Sequence, residues 1–180
     1  MKTKQTTLAR GSTFRLPALV VAIALAGGSI APLTRAEQAD QSRPLPALPS
    51  DPWQASQLMT PEDLATSLSK AAVDKPLVLY VGYPPLYEGG HIAGATFAGP
   101  ASKSGGIQKL NQEVKGLPRE KQIVLYCGCC PWKDCPNVRP AFQTLKDLGF
   151  TNLRVLYLAK NLLNDWIGKG FPTQKADDVK

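Results

Sequence analysis

Three short runs of apolar, β-forming residues decide the fold class of this 180-residue chain. Each run has four or five residues, which suits a buried strand and is too short for a buried helix. Segments with apolar residues at helical spacing precede the first run and separate the last two. Alternating strands and helices predict an α/β domain with a mainly parallel central sheet flanked by helices. The three runs cover residues 77–81, 123–126 and 153–157.

Two helices are predicted with defined ends. The first has Thr60 as its N-cap residue and Pro61 at the first helical position, and its pattern continues for about three turns. Its apolar positions are Leu64, Leu68 and Ala72. The second helix presents one apolar face and stops at Gly149. That face consists of Val138, Ala141, Phe142, Leu145 and Leu148.

The first 36 residues are typical of an export signal, because a basic segment precedes an apolar stretch that is short for a membrane span. The apolar stretch covers residues 16–27, and residues 34–36 offer the small side chains that a signal peptidase inspects. We therefore expect cleavage after Ala36 and a periplasmic or secreted protein, which contacts a membrane only if the signal stays uncleaved. The remaining chain divides into a flexible linker at residues 37–52, a folded domain at 53–172 and a C-terminal tail at 173–180.

The net charge of the chain depends on this signal. The whole sequence has 21 basic and 14 acidic residues and a net charge of +7, but residues 1–36 hold five of the basic and none of the acidic ones. Cleavage leaves 16 basic against 14 acidic residues, a net charge of +2. So weak an excess argues against a nucleic-acid partner. With 43% hydrophobic and 19% charged residues, the chain is also too apolar for a disordered protein.

All four cysteines lie within nine residues, at Cys127, Cys129, Cys130 and Cys135. They are too close in sequence to cross-link distant parts of the fold by disulfides, so we expect them to act together in chemistry at one site. Cys127 directly follows the predicted strand at residues 123–126, and α/β sheets bind ligands at the carboxyl ends of their strands. Amides of the loop and of the next helix N-terminus are expected to stabilise a thiolate there.

Four segments together resemble a rhodanese domain. Residues 123–149, IVLYCGCCPWKDCPNVRPAFQTLKDLG, are similar to the family's strand, nucleophilic cysteine, active-site loop and helix. Residues 87–95, YEGGHIAGA, resemble its Y-E-x-G-H-I-P-G-A signature, and residues 58–68 resemble its opening helix. Trp166 with residues 170–172, GFP, resembles the closing W-x-x-x-G-x-P. The resemblance spans residues 53–172 and implies a three-layer rhodanese-like fold.

This resemblance implies a sulfurtransferase or persulfide carrier that needs no cofactor. Cys127 takes the role of nucleophile: its thiolate attacks the outer sulfur of a small anionic donor such as thiosulfate and passes the sulfur to cyanide or a thiol. The predicted substrate-binding residues are Gly128, Lys133 and Arg139. The two cations are suited to sulfonate oxygens, although Lys133 is better explained as a solvated side chain, and Arg139 is equally well explained as a tie between loop and helix.

The sequence departs from the family in two places. Its cysteine loop is longer than usual, and the helix after it begins either at Pro136, with Cys135 as N-cap, or near Pro140, with a loop that runs to Arg139. At the end of the first strand, residues 80–82 read YVG where many members carry Asp-x-Arg. The second departure removes a pair of charges from the expected site.

The cysteines also fit two other functions. Cys127 and Cys130 form a C-x-x-C pair ahead of a helix, which is typical of thiol–disulfide exchange, with Cys129, Cys130 and Cys135 as redox or resolving thiols and a protein redox partner. A zinc, copper(I) or iron–sulfur site is the second possibility, but C-x-C-C-x4-C lacks the spacing of familiar metal sites, so we predict no metal. One or two local disulfides that stiffen the loop are a structural alternative.

Two further side chains near these motifs attract attention. His91, the only histidine, lies in the G-H-I-x-G-A segment, where the resemblance implies a structural residue. Trp132 lies within the cysteine loop, where it can either rim the site as an apolar lid or pack as a partly exposed residue. Neither is predicted to take part in the chemistry.

Overall fold

The structure is a computed structural model that describes residues 45–176. The predicted export signal, the first half of the predicted linker and the last four residues of the predicted tail lie outside the described residues. Within residues 45–176, no helix is both long enough and apolar enough to span a bilayer.

Five parallel strands form the central sheet, and two further short strands form a separate antiparallel pair. The strands are β1 (Leu58–Met59), β2 (Leu77–Tyr80), β3 (His91–Ile92), β4 (Thr96–Phe97), β5 (Ile123–Tyr126), β6 (Leu153–Leu156) and β7 (Thr173–Gln174). The sheet order is β1-β6-β5-β2-β4, and each neighbouring pair in it is parallel. The three predicted apolar runs are the three central strands, and the predicted α/β class with a mainly parallel sheet is confirmed.

Helices cover both faces of this sheet. They are α1 (Pro61–Leu68), α2 (Pro84–Gly89), α3 (Ser104–Glu113), α4 (Val138–Asp147) and α5 (Leu162–Asp165). Alternate residues of β5 enter two separate apolar cores: Leu125 packs in the core that contains α3 and α4, and Tyr126 packs in the core that contains residues of α1 and α5. Because every residue of β5 is buried, its side chains are apolar on both faces.

The first helix begins as predicted and ends earlier. The Thr60 hydroxyl accepts a hydrogen bond from the Asp63 amide at 3.1 Å, which is the expected N-cap. The helix ends at Leu68, and Ala72 lies in a separate short 3-10 helix. Residues 58 and 59, which the resemblance assigned to the opening helix, instead form β1 because they pair with β6.

Ordered structure extends beyond residues 53–172 on both sides. In the predicted linker, Leu45 and Ala47 pack against the α3/α4 core. The Asp51 carboxylate, whose side chain is fully buried, accepts hydrogen bonds from Arg139 Nη2 at 2.7 Å and Nε at 2.9 Å. In the predicted tail, residues 173–174 form β7 and pair with β3. The segment before the domain is therefore held on α4 by a partly buried ion pair.

Asp51→Ala should lower the free energy of unfolding by about 1–3 kcal/mol, because it leaves the largely covered Arg139 guanidinium without its partner. Urea denaturation measures the change. Glu62→Ala is the control, since Glu62 contacts Lys169 at the same 2.7 Å but both side chains are about half exposed. That substitution should change stability by less than about 1 kcal/mol. Equal losses in the two variants would contradict the role of the buried pair.

Candidate active site

Cys127 lies immediately after β5, at the edge of the sheet where the parallel strands end. Its side chain is 3% exposed and belongs to the core on the α3/α4 side. Gly128 follows with φ of +88°, a conformation that other residues rarely adopt, and a Cβ there would lie 3.2 Å from Leu162 Cβ. Gly128 thus lets the chain turn sharply beside α5 as it leaves the strand.

The loop after β5 ends at a helix start that differs from both predicted ones. The helix begins at Val138, with Asn137 as its N-cap, and a short 3-10 helix covers Trp132–Asp134 within the loop. Pro140 is the third helical residue, where its missing N–H removes no intrahelical hydrogen bond. Neither Pro136 nor Pro140 therefore begins the helix.

Asn137 is the site residue that the sequence analysis missed. Its side chain is fully buried, its Oδ1 accepts from the Ser102 amide at 2.9 Å, and its Nδ2 donates to Cys127 Sγ at 3.4 Å. An asparagine before a helix suggests an ordinary N-cap, but this side chain makes no capping hydrogen bond. It instead joins the loop after β4 to the cysteine at the end of β5.

The four thiols form one cluster and are all unpaired. Cys127 Sγ lies 3.4 Å from Cys129 Sγ, and Cys129 Sγ lies 3.2 Å from Cys130 Sγ. Cys127 and Cys135 are buried, Cys130 is partly covered and Cys129 is exposed. The cluster therefore runs from the core, through Cys129, to solvent.

The surroundings of Cys127 favour its neutral thiol. A hydrogen bond with Cys135, burial and electrostatic repulsion from Cys135 raise the pKa of Cys127, and the hydrogen bonds from Asn137 and Cys129 lower it by less. Burial and the adjacent Cys129 also raise the pKa of Cys130 to about 12. The thiolate at Cys127 that the sequence analysis expected is thus disfavoured in the resting protein.

Tyr80 occupies the region where the sequence resemblance led us to expect charged side chains. Tyr80 is fully buried at the end of β2, and its hydroxyl donates to the Tyr83 carbonyl at 3.2 Å. A Cβ on Gly82 would lie 2.6 Å from the Tyr80 hydroxyl and 3.0 Å from the Cys127 carbonyl oxygen, so glycine is needed for this close packing. Burial and the nearby cysteines raise the pKa of Tyr80, which keeps it an uncharged donor.

A cavity of about 280 Å³ lies against Cys127 and Gly128, and its walls are mostly apolar. No side chain that lines it carries a charge. The other lining residues are Tyr80, Pro85, Leu86, Gly89, Gly90, Leu162, Leu163 and Ile167.

The two predicted substrate-binding cations are engaged elsewhere. Lys133 is exposed and lies 3.4 Å from the carboxylate of its neighbour Asp134. Arg139 binds Asp51 and also donates to the Cys135 carbonyl at 3.4 Å, so it links the loop, the helix and the preceding segment. Of the three predicted substrate-binding residues, only Gly128 lines the cavity.

The remaining predicted features have structural surroundings. His91 is buried, donates from Nδ1 to the Tyr87 carbonyl at 2.8 Å and stacks on the Tyr87 ring. Trp132 is 5% exposed and packs against Trp53 and Tyr157, so it is neither a lid nor a partly exposed residue. Among residues 45–176, no group of three histidine, cysteine or acidic side chains is arranged to hold a metal ion.

Comparison with known families and structures gives one sequence match and a set of fold matches. The Rhodanese-like domain family matches residues 60–159, more than half of the chain. No curated protein sequence matches the chain. A Bacillus halodurans protein is similar in structure with a TM-score of 0.53 and 21% identity, over 69% of this chain and 82% of that one. The Rhodanese-like domain of an Anabaena protein has a TM-score of 0.49 and 21% identity, over 69% of this chain and 83% of that one.

Cys135→Ala should lower the pKa of Cys127, because it removes the hydrogen bond and the repulsion that favour the neutral thiol. At pH 8, alkylation of Cys127 by iodoacetamide should be several-fold faster than in the wild type, as measured by mass spectrometry of the Cys127 peptide. Cys130→Ala is the control and should leave this rate unchanged. Slower alkylation of Cys127 in Cys135→Ala would contradict this account of the cluster.

Proposed function

Since this chain belongs to the rhodanese-like domain family, a sulfurtransferase-type family, we propose that it transfers sulfane sulfur through a persulfide on Cys127. The observation that supports this proposal is the position of Cys127. It lies at the carboxyl end of the central strand and lines an open cavity. The donor is a small sulfur compound such as an organic persulfide or thiosulfate, of which thiosulfate should be the slower because the apolar cavity disfavours its charge. The acceptor is a thiol or cyanide.

In the first step the Cys127 thiolate attacks the outer sulfur of the donor. With thiosulfate, a new S–S bond forms on Cys127, the donor's S–S bond breaks, and sulfite leaves with the electron pair. Asn137 assists as a hydrogen-bond donor to Cys127 Sγ, which stabilises the thiolate. Because the pKa of Cys127 is raised, the small thiolate fraction limits this step at neutral pH.

In the second step an acceptor attacks the outer sulfur of the persulfide. Transfer of this sulfur to cyanide gives thiocyanate, and transfer to a thiolate gives a new persulfide. In both cases the S–S bond to Cys127 breaks and the Cys127 thiolate leaves with the electron pair. The acceptor reaches Cys127 through the cavity, whose apolar walls disfavour a charged molecule. Uncharged organic thiols should therefore be better acceptors than thiols that carry a carboxylate.

We include export in the proposal, because a basic segment and a short apolar stretch precede residue 36. Outside the cytoplasm, the four thiols need a protein redox partner that keeps them reduced.

Cys127→Ser should abolish sulfur uptake from thiosulfate and the release of thiocyanate after cyanide is added, because an unactivated serine hydroxyl is a far weaker nucleophile. Intact-mass spectrometry of the reduced protein measures the first event, and colorimetric thiocyanate measures the second. Cys129→Ser is the matched control and should still take up one sulfur. If Cys127→Ser acquires the sulfur and another cysteine variant does not, the nucleophile is wrongly assigned.

Leu163→Arg should make the cavity more favourable for anions, because Leu163 lines it and its side chain is 65% exposed, so an arginine there stays solvated. The test uses a Cys129→Ser background, in which no neighbouring thiol at position 129 can discharge the persulfide. There, discharge of the Cys127 persulfide by 3-mercaptopropionate should become about tenfold faster, while discharge by phenylmethanethiol should not. Single-turnover rates give this ratio. Val73→Arg, at an exposed position away from the cavity, is the control. An unchanged ratio in Leu163→Arg would show that acceptors do not enter this cavity.

A further inference from the structure

The arrangement of the thiols points to an activity beyond transfer to an external acceptor. We infer that Cys129 attacks the persulfide on Cys127, so that the chain reduces sulfane sulfur to sulfide and is itself oxidised to a Cys127–Cys129 disulfide. The inference rests on the proposed function, because it needs the persulfide to form on Cys127 first.

Distance and backbone conformation favour Cys129 as the attacking thiol. Its Sγ lies 3.4 Å from Cys127 Sγ, within about 1.4 Å of an S–S bond length. Gly128 between them has φ of +88°, and this turn brings the two side chains together although they are only two residues apart. No large rearrangement of the loop is needed for the bond to form.

The other two thiols are less well suited. Cys135 also forms a hydrogen bond with Cys127, but it is 2% exposed and packs in the same core, where it has little access to solvent or to a reductant. Cys130 Sγ lies 3.2 Å from Cys129 Sγ. Within residues 45–176, Cys130 Sγ forms no comparable hydrogen bond with Cys127 Sγ. Cys129 is exposed, so a dithiol reductant can reach the disulfide once it has formed.

The reaction balances without an oxidant. The Cys129 thiolate attacks Cys127 Sγ, a Cys127–Cys129 bond forms, and the bond between Cys127 Sγ and the outer sulfur breaks. The outer sulfur leaves as hydrosulfide with the electron pair, having gained the two electrons that the two cysteines lose. A dithiol then reduces the disulfide and restores both thiols.

Intramolecular attack competes well with external acceptors. A thiol held 3.4 Å from its target acts at a far higher effective concentration than a dissolved thiol, so sulfide release should dominate when acceptors are scarce. Desolvation raises the pKa of Cys129, so attack by its thiolate should become faster as the pH rises.

Full-length protein is reduced, freed of reductant under anaerobic conditions and given saturating thiosulfate without an acceptor. The wild type should release one sulfide per chain, measured with monobromobimane, and its intact mass should fall by two hydrogens. Cys129→Ser should release no sulfide and should keep the mass of one added sulfur on Cys127. Cys130→Ser should behave as the wild type, and dithiothreitol should restore a second round in both wild type and Cys130→Ser.

Three results would overturn the inference in distinguishable ways. If the wild type keeps its persulfide and releases no sulfide, the proposed transfer function stands and the resolving step is wrong. If Cys129→Ser still releases sulfide while Cys135→Ser does not, the resolving thiol is Cys135. If neither the wild type nor any variant takes up sulfur, the proposed function fails, and this inference fails with it.

Discussion

The rest of the fold is arranged around strand β5, because β5 is hydrogen-bonded along both edges and buried on both faces. Its pairing with β2 and β6 fixes where all three strands end. Cys127, Tyr80 and the residues after β6 therefore meet at one edge of the sheet, although they are far apart in sequence. A shift of β5 by one residue would exchange the side chains of its two faces and remove Cys127 from the core that now holds it.

Within that frame, two polar side chains secure the cysteine loop. Asn137 links the loop to the segment after β4, and Arg139 links it to Asp51 in the segment before the domain. Both lie at the start of α4, so the helix that packs on the sheet also determines the position of the thiols. The long loop is thereby held firmly at its C-terminal end, while Cys129 near its other end stays exposed.

The sequence analysis succeeded where local pattern and burial agree. The central strands are continuous apolar runs, and the position of Cys127 follows from the end of the β5 run. It failed where contacts between residues far apart in sequence determine the structure. Strand β1 has only two residues and forms through its pairing with β6. The partner of Arg139, Asp51, lies 88 residues away in sequence. Asn137 was missed because no local pattern reveals a bond to a sulfur ten residues earlier. The raised pKa of Cys127 likewise depends on the packing of Cys135, which spacing alone does not show.

The raised pKa of Cys127 also affects how readily this thiol is oxidised. Peroxides oxidise thiolates far faster than thiols, first to sulfenic acid and then to sulfinic and sulfonic acids that ordinary reductants do not reverse. A cysteine that is buried and protonated at rest is a poor target for this damage. In the proposed reaction, the burial and protonation that slow the first step therefore also protect the Cys127 thiol from irreversible oxidation.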